Sequence, residues 1–175
     1  MNGTAHRLFA VSVQIAVGAG LHEPVWQVVV GIPFAVAFAA GPTSPDLDDT
    51  KSWKKMDRWL PDEWLGEGGP MQHRGLLHWW GIPALVGLFV YLYAMNTPIT
   101  WAAWAVIAGW GSHVVSDCIF GKSGYGTQKG IPLLPWWAHI GFGFKSNGYV
   151  QHLVIVPISA SVVCGTVWWA MGMPV

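Results

Sequence analysis

Hydrophobic positions fall into five runs, Leu8 to Leu21, Val25 to Ala40, Trp79 to Met95, Ile99 to Val115 and Val150 to Met171, with polar stretches between them. A helix needs roughly 20 apolar residues, within a range of about 17–25, to cross a bilayer. The third, fourth and fifth runs meet this, and the second reaches it by continuing into Gly41. The first run is short. The pattern predicts an all-α integral membrane helical bundle of about five transmembrane helices. The alternative is four spans plus an interfacial or re-entrant N-terminal helix. No internal repeat or low-complexity segment divides the chain, so residues 1–175 read as a single integral membrane domain with two long loops, 41–78 and 118–149.

Composition agrees with this reading. Hydrophobic residues make up 53% of the chain and charged ones 10%, against about 25% charged in soluble domains. All nine Lys and Arg lie at Arg7, Lys51, Lys54, Lys55, Arg58, Arg74, Lys122, Lys129 and Lys145. The turns around His22–Pro24 and Asn96–Pro98, and the C-terminal tail, carry none. Positive loops stay cytoplasmic. The expected placement is therefore a multi-pass protein of the cytoplasmic membrane, with the N-terminus and both long loops inside and Val175 outside. No small-residue cleavage site precedes His22-Glu23-Pro24, so the first run is not read as a secretory signal. Several of the thirteen Trp flank the runs, as in an interfacial aromatic belt, and Trp136 with Trp137 is placed to hold the 118–149 loop on the membrane surface. The Lys51–Arg58 cluster suits anionic headgroups, and with no further basic stripe a nucleic-acid partner is not expected. Cys118 and Cys164 belong to opposite ends of different runs, which argues against a disulfide, and they lack the paired spacing of a zinc site.

Residues with metal-ligating chemistry gather at one end of these runs. His6 opens the first, Asp46 and Asp48 follow the second, His73 and His78 precede the third, and His113 and Asp117 close the fourth. If the runs alternate in direction, all seven reach one membrane face. Pro42 and Pro45 end the second helix, so Asp46 and Asp48 lie in an irregular segment where both can turn toward one ion or bridge two. Gly75 suggests a turn between His73 and His78, which gives two directions of approach. His113 and Asp117 are four residues apart and share a helix face. Ionisable groups at membrane depth are costly and usually functional. Oxygen donors mixed with imidazole admit one or two divalent ions, zinc first, with Mn, Mg or Fe as alternatives. Arg74 offers a planar fork suited to phosphate, and an unligated carboxylate, Asp49 or Asp117, is the candidate general base. His22 faces the other side and is excluded. His139 and His152 are on the correct side but carry little signal of their own. A structural His–Asp pair, solvated acids and interfacial histidines are the plain alternatives to a metal site.

The order His6, Pro45-Asp46-Leu47-Asp48, His73-Arg74-Gly75 with His78, then Gly111 with His113 and Asp117, resembles the LexA-regulated, membrane-bound metal-dependent hydrolase family, the YdjM-like inner-membrane proteins. Gly130 to Pro135 is similar to that family's late loop. The match runs from residue 6 to about 155. Asp49 stands where the family often has His, and Leu77 and Trp79 replace polar residues that usually flank the second His. The resemblance implies a multi-span inner-membrane protein with a divalent-metal hydrolase centre.

The expected function is hydrolysis of a phosphoester in a membrane lipid or lipid-linked substrate at the cytoplasmic face. Arg74 and Asp49 would act beside the metal ligands, and a homo-oligomer is compatible with the sequence. Two alternatives stand beside it. A His-nucleophile lipid phosphatase is echoed by His113-Val-Val-Ser-Asp117, but its other motifs are missing. A non-catalytic metal-stabilised scaffold, sensor or transporter belongs to another class. Transporters place ionisable groups near the midplane in broken helices, whereas these sit at one boundary.

Overall fold

The computed structural model describes residues 3–40, 43–48, 61–65, 70, 75–94, 97, 100–120, 130–134, 137–142, 153 and 155–170. Each apolar run forms a helix: α1 (Gly3–Gly20), α2 (Val25–Ala39), α4 (Gly81–Phe89), α5 (Thr100–Phe120) and α6 (Val156–Ala170). The short helix α3 (Asp62–Leu65) lies in the first long loop. α2 stops before Gly41-Pro42, as proline there requires. Pro83 is tolerated because it falls in the first turn of α4, where backbone N–H groups have no helical partner. α4 continues into a π-helical turn, Val90–Ala94. Single 3₁₀ turns at Pro45–Asp48 and Leu76–His78 carry candidate ligands.

The five segments expected to span a bilayer are therefore present as helices. Among the described residues, however, no helix is both long and apolar enough to cross a membrane. α2 and α6 have 15 residues each. α5 has 21, but its apolar sequence is interrupted by Ser112, His113, Ser116 and Asp117.

Helices α1, α2 and α5 pack against one another, α4 lies against α5, and α6 lies against α1. The contact layer is built of small residues. Ala10, Ala35, Ala39 and Ala105 are fully buried together. A Cβ added at Gly109 would stand 2.3 Å from the Ala35 carbonyl oxygen, so α2 and α5 meet backbone to backbone. Close approach over small residues is how helices associate without a hydrophobic driving force. Ser12 donates a hydrogen bond to the Ser159 carbonyl, tying α1 to α6. Large apolar side chains instead point outward, among them Val29, Phe34, Leu85, Leu88, Phe89 and Leu92.

The all-α expectation needs one correction. Strands β1 (Ile131–Leu134) and β2 (Trp137–Ile140) form an antiparallel hairpin with Ile131 opposite Ile140 and Leu134 opposite Trp137. Gly130, with φ +79°, permits its entry, because a Cβ there would run into the Ile140 carbonyl. An isolated hairpin is marginal in water, and this one is held from outside. The indole N–H groups of Trp79 and Trp80 both donate to the Leu133 carbonyl, at 3.2 and 2.8 Å, and the Phe142 amide donates to the Cys118 carbonyl.

Candidate metal centre

Asp46, His78, His113 and Asp117 converge, each offering a ligand atom within 4.8 Å of the others. Alternating chain direction brings them together. α2 ends just before the turn that carries Asp46, the Leu76–His78 turn leads into α4, and α5 presents His113 and Asp117 near its C-terminal end. His78 and His113 are fully buried and Asp117 nearly so, while the Asp46 side chain is 44% exposed. The one corner open to solvent is therefore Asp46, on the turn that follows α2.

The spacing of these atoms is specific. His78 Nε2 lies 3.3 Å from His113 Nε2 and 3.4 Å from Asp46 Oδ1. His113 Nε2 lies 3.4 Å from the same Asp46 oxygen. Asp117 Oδ2 lies 3.5 Å from His78 Nε2 and 3.7 Å from His113 Nε2. Four nitrogen and oxygen donors held tetrahedrally at about 2.0–2.1 Å from an ion are about 3.3–3.4 Å apart. Five of the six edges of that tetrahedron are matched, slightly expanded on the Asp117 side, and the sixth, between Asp46 and Asp117, is within 4.8 Å.

Neighbouring groups turn the imidazoles the right way. His113 Nδ1 is 2.7 Å from the carbonyl of Ala39. Ala39 is the last residue of α2, so its carbonyl has no helical donor. A carbonyl only accepts; Nδ1 therefore carries the proton and Nε2 presents its lone pair to the cluster. Metal-ligating histidines are commonly oriented by such a bond. Trp110 donates to the Leu77 carbonyl at 3.0 Å and pins the His78 turn to α5. Asp46 is set up as an anion. Burial pushes its carboxyl pKa up, but in the metal-free protein hydrogen bonds and charge from protonated His113 and His78 outweigh this and hold it well below the usual carboxylate range; a bound ion would take the place of those Nε2 protons. Two carboxylates facing each other in a mostly buried site call for a cation, and the donor set suits a divalent one.

His6 is brought to the cluster without joining its four corners. Its ring stacks on His113 with centroids 4.2 Å apart, and its Nε2 lies 3.6 Å from Asp117 Oδ1, the carboxylate oxygen turned away from His78. Ser116 Oγ donates to the His113 carbonyl at 2.8 Å and lies 2.7 Å from His6 Nδ1. With its single proton so used, the hydroxyl accepts from Nδ1–H and leaves His6 Nε2 facing the site. Ser116 was not singled out from the sequence for this role, although its place between His113 and Asp117 on one helix was a usable signal. The Ala39 carbonyl left no side-chain signal at all.

His73, Arg74 and Asp49 lie outside the described residues, as does His152, and the side chain of Asp48 is likewise undescribed. His139 is in β2 opposite Pro132 and is not part of the ligand group. His22 lies beyond the far end of α1, as expected. Cys118 and Cys164 are free.

A family model described as YdjM inner membrane protein matches residues 1–175. No curated protein and no solved structure matches the chain.

Proposed function

The chain belongs to the YdjM inner membrane protein family, and from that membership and its ligand cluster we propose a membrane-embedded metal-dependent hydrolase. Its substrate is a phosphoester of a lipid or lipid-linked molecule, cleaved at the cytoplasmic face. The observation that carries this reading is the convergence of Asp46, His78, His113 and Asp117, with five donor distances of 3.3 to 3.7 Å. Small residues inside the bundle and large apolar ones outside support a lipid environment.

A bound divalent ion, zinc first, supplies Lewis acidity toward a phosphoryl oxygen and lowers the pKa of a water. The chain's own residues do the rest. His78, His113 and Asp117 hold the buried corners. Asp46 closes the site at its exposed corner, where water and substrate arrive. Arg74 is assigned, on its sequence position beside His73, to charge developing on the phosphoryl oxygens. Asp49, three residues beyond Asp46, is assigned as general base. His6, Asp48 and His73 are the ligands available to a second ion.

A second reading, a metal-stabilised scaffold or sensor, is favoured by one observation: protein atoms fill all four corners, and closed sites are usually structural. The two readings part in a turnover assay. Metal-loaded protein in vesicles is expected to release phosphate or headgroup from at least one member of a phospholipid panel, and chelation is expected to stop it. Retained metal with no turnover across the panel favours the scaffold.

A further inference from the structure

The hairpin is the one described part of the chain whose exposed apolar face neither the helices nor the ligand cluster explains. Leu133 and Leu134 are each 48% exposed, Ile140 53% and Phe142 76%. Leu133 lies on the face of the sheet that carries Ile140, Leu134 lies on the opposite face, and Phe142 follows β2; exposed apolar residues clustered in this way mark a protein or membrane contact. Residues 130–142 contain no charged residue, whereas Lys129 precedes them and Lys145 follows. Asp117 is the last acidic residue of the chain, so the segment from Cys118 onward carries Lys122, Lys129 and Lys145 and no Asp or Glu. An apolar hairpin with lysines before and after it in the sequence is complementary to an anionic bilayer surface, with acyl chains for its exposed apolar residues and headgroups for the ammonium groups.

The attachment of the hairpin is equally particular. Leu133 is held by the indoles of Trp79 and Trp80, which directly follow His78, and Phe142 is held by the backbone of Cys118, which directly follows Asp117. A contact made by this sheet therefore fixes the height of two ligand-bearing elements.

We propose that the β1–β2 hairpin is a lipid anchor, inserting Leu133, Ile140 and Phe142 below the headgroups of an anionic leaflet and so setting the metal centre at headgroup level. The partner is the bilayer itself. The anchor is independent of what the centre catalyses.

A nitroxide at position 142 tests it, in full-length Phe142→Cys protein with Cys118→Ser and Cys164→Ser, reconstituted into vesicles containing anionic lipid. The same label at Asp62, exposed in the first long loop, is the aqueous reference. Dissolved oxygen, which concentrates in lipid, is expected to relax the label at 142 more strongly than a water-soluble nickel chelate does, with the order reversed at 62. Position 142 behaving like 62 would overturn the proposal. A label at Ile140 gives the same reading if the 142 variant does not fold. Low accessibility at 142 to both oxygen and the nickel chelate would identify a protein contact and also overturn it.

Discussion

Ser116 connects two histidines through one hydroxyl, accepting from His6 and donating to the backbone of His113. Ser116→Ala removes that partner from a ring that is 3% exposed. A buried donor left unsatisfied costs about 1–3 kcal/mol, and that loss of unfolding free energy is the expected result of denaturation in detergent. Bound metal should persist, because the four corners are untouched. Arg74 is argued from sequence alone. Arg74→Lys keeps the charge and the positive-inside signal but loses the bidentate fork. By analogy with loss of one preorganised donor, it is expected to cost about 2.7–4 kcal/mol of transition-state stabilisation while metal stays bound. Unchanged turnover in detergent and in liposomes would remove Arg74 from the chemistry. At this scale the sequence was informative where side chains act. His78, His113, Asp46 and Asp117 were all legible. The Ala39 carbonyl was not, because any residue could supply it.

Among the elements, the α2–α5 contact positions the centre. Ala35 and Ala39 are one turn apart on α2, and Gly109 and His113 are one turn apart on α5. The close approach at Gly109 is thus one turn from the bond between His113 and Ala39. Gly109→Ala forces the helices apart there. Overpacking of this kind costs about 1–3 kcal/mol, and both stability and metal content are expected to fall. Gly111→Ala is the control, since its Cβ meets only Pro83 at an ordinary 3.9 Å. Equal thermal stability of the two variants would contradict this account of the packing. The helices were legible because each is a continuous apolar run. The hairpin was not. Its burial does not alternate along β1, and its support comes from Trp79 and Trp80, about fifty residues away, so no local pattern announces it.

For the whole molecule, direction reversal explains why ligands so distant in sequence share one end. The order of His6, Asp46, His78, then His113 with Asp117 at successive helix ends already contained that arrangement. Membrane topology is a separate matter, because no described helix is long and apolar enough to cross a membrane. The segregation of all nine Lys and Arg still predicts it. Tags at the N-terminus and within 51–67 should report cytoplasm, and a C-terminal tag the outside. A cytoplasmic C-terminus would mean an even number of crossings, with α1 lying at the interface.

The central claim is that Asp46, His78, His113 and Asp117 form one divalent-metal site. Metal content of the purified protein, by elemental mass spectrometry, tests it most directly. Wild-type protein is expected to hold at least one divalent ion per chain. Asp46→Ala, His78→Ala and His113→Ala should each lower that content, while His22→Ala, at the far end of α1, should leave it unchanged. Wild-type protein that binds no divalent ion, or equal content in all four variants, would contradict the account.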